Sequence, residues 1–251
     1  MSSSAAVNRV PQVIWIYWVI KIASTTLGET GADMFSMTFN LGYITTTLVF
    51  LALFGVLLAA KLAAGRYGPV LYWLVFTASA IAGTAISDYI DRTLQLGYAT
   101  GSALLAALLV VILVCWQRTE KSIAVETITT RRAELFYWLA FLLANTLGTA
   151  AGDFLADNLG LGFWHSALLI SGILVGLALL HFFTKVPGLL LFWLAFVLTR
   201  PFGATFGDLL TKSRDKGGLD LGTIGSSLFF AVMLVLAVLW EMRLEKRRVA
   251  A

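Results

Sequence analysis

Cysteine is almost absent. Cys115 is the only one in 251 residues, which excludes a disulfide framework and any cysteine-built metal cluster. Histidine is scarce too, with only His165 and His181. Charged residues make up 13% of the chain against 59% hydrophobic, whereas a soluble domain carries about a quarter charged. With a mean hydropathy of +0.86, water-soluble enzyme folds are excluded and an integral membrane protein is expected. At roughly 20 residues per crossing, the length holds at most about eight or nine helices and no sizeable extramembrane domain. Carboxylates and hydroxyls are left as the main chemistry.

The apolar run that begins at Val13 is interrupted by Lys21 and has no A-x-A-like cleavage site, so a retained first helix is expected instead of a signal peptide. No ATP-binding glycine loop is present. The net charge of +4 lies in short loops and reads as a topology signal, not as a nucleic-acid surface.

Internal repetition is the informative feature. Four tryptophans each follow an aromatic residue: Tyr17-Trp18, Tyr72-Trp73, Tyr137-Trp138 and Phe192-Trp193. Ten residues after each tryptophan stands Gly28, Gly83, Gly148 or Gly203, fourteen after stands Ala32, Ser87, Gly152 or Gly207, and fifteen after stands Asp33, Asp88, Asp153 or Asp208. Half of the eight aspartates share this register. A Leu-Gly turn follows each (41–42, 96–97, 161–162, 221–222) and leads into a second apolar stretch, so every repeat is a helical hairpin. The fourth repeat has an inserted Ser213–Gly218, where added function is expected.

The expected fold is an all-α integral membrane protein. Eight transmembrane helices are placed at roughly 12–38, 43–62, 69–92, 98–117, 133–157, 162–183, 187–211 and 222–243. They form four parallel hairpin repeats in two four-helix halves, residues 1–125 and 126–251, joined by a linker at Arg118–Arg132. Twelve basic loop residues fall on one side (Arg9, Lys61, Arg66, Arg118, Lys121, Arg131, Arg132, Lys185, Arg243, Lys246, Arg247, Arg248) and four on the other (Arg92, Lys212, Arg214, Lys216). Both termini are therefore expected in the cytoplasm. The repeat tryptophans then mark the cytoplasmic interface, and each aspartate lies about 22 Å further along, just inside the outer boundary.

A carboxylate facing lipid costs roughly 2.5–3.5 kcal/mol at the membrane centre, so the aspartates are expected to surround a polar interior. The Gly-x-x-x-small pattern lets the odd-numbered helices approach closely and brings the aspartates together. Glu29 and Thr149, four residues before Asp33 and Asp153, share the aspartates' face, as does Thr84. Asp33, Asp88, Asp153, Asp208, Glu29 and Thr149 are the candidate metal ligands. Arg200, beside the helix-kinking Pro201, and Lys21 are candidate counter-ions or gates, snorkelling being the plainer alternative for Lys21. Five carboxylates against these two cations leave −3, and oxygen ligands favour Mg²⁺, Ca²⁺ or Mn²⁺. His165, His181 and Cys115 are expected to be packing or interface residues.

The pattern at 28–33, 83–88, 148–153 and 203–208 resembles an uncharacterised family of bacterial membrane-anchored proteins over the whole chain. That resemblance implies no mechanism. A looser likeness connects Glu29-Thr30-Gly31-Ala32-Asp33 to cation transporters with Glu-x-Gly-Asp on paired helices; the segment here has an extra residue and the other repeats lack that glutamate, so the likeness implies no substrate. The expected function is secondary transport of a hard divalent cation, Mn²⁺ first, linked to protons, in a bacterial inner membrane. No resident cofactor, no nucleic-acid partner and no enzyme chemistry are expected. A cation channel, an organic-cation transporter and a non-transporting scaffold are the alternatives.

Overall fold

The structure, a computed structural model, describes residues 9–125 and 128–250. The residues before Arg9, and residue 126, where the second half is expected to begin, lie outside the described ones. Among the described residues there is no strand, and eight long helices follow in order: α1 Trp15–Asp33, α2 Gly42–Ala64, α3 Pro69–Asp88, α4 Tyr98–Glu120, α5 Arg131–Asp153, α6 Gly162–Phe183, α7 Gly188–Thr211 and α8 Thr223–Ala250. All but α1 are long and apolar enough to cross a membrane. Lys21, Glu29 and Asp33 lower the apolarity of α1.

Local chemistry sets the ends. Pro69 opens α3, where its missing N–H costs nothing. Thr130 caps α5 by accepting from the Ala133 amide at 3.0 Å. The expected linker at Arg118–Arg132 is shorter than expected, because α4 runs to Glu120 and α5 begins at Arg131. The eighth helix likewise passes 243, since its basic tail suits a helix C-terminus. After Asp33, Asp88 and Asp153 the chain widens into one π-helical turn, Met34–Thr38, Tyr89–Thr93 and Phe154–Asn158. Each repeat then passes its Leu-Gly turn with two left-handed residues, such as Asn40 (φ 57°) and Gly42 (φ 73°), and the glycine is there to adopt that angle without strain.

The odd-numbered helices form a closed ring, with α1 against α3, α3 against α5, α5 against α7 and α7 against α1. The register is the same at every contact. A Cβ on Gly28 would meet Ala80, one on Gly83 would meet Asn145, one on Gly148 would meet Arg200, and one on Gly203 would meet Thr25. Each partner lies three residues before the next repeat's glycine, so the four helices run parallel around one pseudo-fourfold axis. Even-numbered helices pack outside, each on the odd helix that follows it: α2 on α3, α4 on α5, α6 on α7, and α8 back on α1. Only 17–28% of an even helix's span is buried, against 44–72% for α3, α5 and α7. This inner and outer division is what small residues at spacing four and all-round apolar even helices dictate.

The repeat tryptophans pack within the bundle. Trp73 and Trp138 are buried, Trp18 and Trp193 are half-buried, and all four join the aromatic core at one end of the ring. Their indoles face neighbouring helices, and Trp73 Nε1 donates to Glu241 Oε2 at 2.8 Å. The exposed tryptophans are instead Trp15, Trp164 and Trp240. Cys115 is exposed on α4, not packed inside, because that helix faces outward.

Candidate functional site

Side chains stack along the ring's axis in layers four residues apart, about 6 Å each. The aromatic end holds Tyr17, Tyr72, Tyr137 and Phe192, with the Tyr72 and Tyr137 hydroxyls hydrogen-bonded to each other. One layer on, three repeats supply Phe76, Phe141 and Phe196, with ring centroids 4.3 and 4.7 Å apart, and the first repeat supplies Lys21. Lys21 does not snorkel. It is 1% exposed, its ammonium lies 4.0 Å from the Phe196 ring centre, and it donates to the Phe196 carbonyl at 2.9 Å and to Thr199 Oγ1 at 2.7 Å. The phenyl faces and two oxygens replace the water it has lost.

Arg200 stems from the next layer and meets Glu29 of the one beyond. Arg200 Nη1 stands 3.4 Å from Glu29 Oε2, and Arg200 also donates to the carbonyls of Thr25 and Ala80 and to the Thr84 hydroxyl. Thr84 and Thr149 donate to the same Glu29 oxygen at 3.2 and 3.3 Å. The missing Cβ of Gly148 makes the room, since it would overlap Arg200 Cβ and Cγ. Glu29, Thr149 and Arg200 are thus brought together.

The last layer holds the four repeat aspartates, each 1–2% exposed. Two cations that sequence reasoning assigned to the outer loops enter it. Lys212 Nζ pairs with Asp33 at 2.6 Å and Asp208 at 3.1 Å. Arg92 pairs with Asp88 at 2.9 Å and reaches Asp153 at 3.7 Å. Burial alone would discharge Lys212, but Asp208 and Asp33 outweigh it and hold the ammonium above its ordinary pKa. The available signal was spacing: Arg92 and Lys212 each stand four residues after a repeat aspartate, on the same face. With them counted, five carboxylates face four cations, and the axis carries −1 instead of −3.

The candidate ligands therefore occupy two layers, the aspartates in one and Glu29 with Thr149 in the next. Among the described residues, no three His, Cys, Asp or Glu side chains stand at metal-ligating spacing. His165, bonded to the Leu161 carbonyl, and His181, against Phe182, belong to neither layer.

The same four-part division appears in comparison with known families. A repeat of unknown function, DUF347, matches residues 16–67, 71–122, 136–186 and 191–247. The chain belongs to this family. No curated protein and no solved structure matches it. Each DUF347 repeat spans one odd-numbered helix and the even-numbered helix after it, so the family's unit is the hairpin that contributes one aspartate to the ring.

Proposed function

We propose that this protein is a secondary membrane transporter for a small hard cation, a divalent metal ion by ligand type with Mn²⁺ first, taken up at the aspartate layer. In this reading all eight helices cross the membrane, α1 included, because the other three ring helices shield its charges. Both termini face the cytoplasm of a bacterial inner membrane. The observation that carries the reading is the convergence of four buried carboxylates, one per repeat, at the end of the axis where partly exposed cations already reach them. Oxygen donors of this kind select hard ions.

Transport is favoured over a channel by what lies deeper. Arg200 and Lys21 place two positive charges on the axis, and the phenyl layer closes around Lys21. Fixed positive charge and an apolar constriction both oppose a cation in a static pore. Passage then requires the repeats to move against one another. Glu29, held by Arg200, Thr84 and Thr149, is the next oxygen site inward, and Lys21 is the gate. An organic cation would need the aromatic space that Lys21 fills. A scaffold is the second reading, favoured by the near-balance of charge on the axis.

The test uses the purified full chain in proteoliposomes with Mn²⁺. Saturable uptake is expected, weakening as pH falls because metal and protons compete for carboxylates. Asp→Asn at 33, 88, 153 or 208 is expected to lower affinity tenfold or more, about 1.4 kcal/mol. Wild-type protein that neither binds nor moves Mn²⁺ overturns the transporter and leaves the scaffold.

A further inference from the structure

Arg92 and Lys212 follow a two-fold pattern within the four-fold ring. Repeats two and four supply them, while the same position in repeats one and three is Met37 or Asp157. Each bridges its own aspartate to that of the next repeat round the ring, so each pair of carboxylates shares one monovalent cation. The two partners differ in freedom. The Arg92 and Lys212 side chains are 31% and 12% exposed, on long flexible stems at the rim, whereas the four carboxylates are at most 3% exposed on rigid ring helices. The cations stand at the open edge of the layer, Arg92 also over the Tyr43 ring, and the aspartates stand behind them.

The pairing is also incomplete. Asp88 Oδ2 is buried and receives no hydrogen bond, and Asp153 Oδ2 has Arg92 only at 3.7 Å, beyond hydrogen-bond reach. A structural lock built from arginine would present its two-pronged fork to a carboxylate. Here the guanidinium is stretched between two acids and leaves oxygens over.

We propose that Arg92 and Lys212 are tethered cations that fill the aspartate layer while cargo is absent, and that a divalent cation binds by displacing them, one per carboxylate pair. This rests on the reading of the layer as a cation site. A vacated pair carries −2, which a dication neutralises; a monovalent ion leaves the pair at −1, no better than the resident side chain. The exchange therefore selects divalent over monovalent cations. A tethered competitor lies at high local concentration, so removing its charge tightens cargo binding, the reverse of removing a ligand.

Calorimetry with Mn²⁺ on the purified full chain tests this. Lys212→Gln and Arg92→Gln are expected to bind Mn²⁺ at least tenfold more tightly than wild type, and Lys212→Arg, which keeps the charge, to return affinity toward the wild-type value. Folded Gln variants with unchanged or weaker affinity overturn the proposal. A measurement on wild type stands apart from any folding defect: Lys212 labelling by an amine-reactive reagent, read by mass spectrometry, should rise when Mn²⁺ saturates the protein. Unchanged labelling with bound Mn²⁺ sinks the tether and spares the cation site. Absence of Mn²⁺ binding in wild type and variants alike sinks both.

Discussion

Gly148 sits where α5 presses on α7, and a methyl group there would land on Arg200 Cβ and Cγ and within 3.0 Å of Pro201 Cδ. Pro201 belongs to a rigid ring and Arg200 is held by Glu29, Thr84 and two carbonyls, so neither can yield cheaply. Gly148→Ala should destabilise by about 1–3 kcal/mol, the ordinary cost of overpacking. Gly172→Ala, on the outer face of α6 with nothing within 4 Å, should be neutral or gain up to about 1 kcal/mol from helix propensity. Thermal unfolding in detergent checks both, and equal effects would contradict the close approach. The glycine and aspartate registers were legible because duplication repeats them four times. Lys21 and Arg200 stand out as charges inside apolar helices, but the place of Arg92 and Lys212 in the aspartate layer was not legible, because they appear in only two of the four repeats. A charge near a helix end reads as a loop signal until spacing places it over a carboxylate.

At the scale of elements, hydropathy located all eight helices, since long apolar runs between Gly and Pro signals leave little choice. It could not say which neighbour each outer helix takes. That is decided by ring closure: α2, α4 and α6 lean forward onto the next repeat, so α8 has only α1 left to cover. Ser227 on α8 donates to Thr30 Oγ1 on α1 at 3.0 Å across this last joint. Oxygens so close correspond to side chains at disulfide separation. Thr30→Cys with Ser227→Cys, made with Cys115 replaced by alanine, should form an intramolecular disulfide on mild oxidation, read by mass spectrometry of the digest. Two free thiols in the folded protein would show that the ring does not close in this way. The π-helical turns after the first three aspartates had no signature in hydropathy, because one extra residue per turn leaves the apolar pattern almost unchanged.

For the whole molecule, orientation follows from charge, and the structure changes which charges count. Lys61 is buried against Glu134 at 2.6 Å, with Arg9 at 2.7 Å from the same carboxylate, so those two do not act as free loop charges. Arg92 and Lys212 are likewise engaged with the aspartates. Ten basic residues then remain at the aromatic end of the ring, and Arg214 and Lys216 alone at the aspartate end. The bias is steeper than the plain loop count, and it supports the proposed orientation, in which the aromatic end lies in the cytoplasm and the aspartate layer toward the outside. The inserted loop of the fourth repeat offers the place to read this. Its return closes on the end of α7, the Leu219 and Leu221 amides donating to the Leu209 and Leu210 carbonyls, while Asp215 stays exposed at its tip. Asp215→Cys should leave topology intact, because acidic residues contribute little to orientation. In intact cells carrying Cys115→Ala, a membrane-impermeant maleimide should label this cysteine without permeabilisation. Labelling only after the membrane is opened would invert the molecule, put the aspartate layer in the cytoplasm and reverse the side from which a cation first meets Arg92 and Lys212.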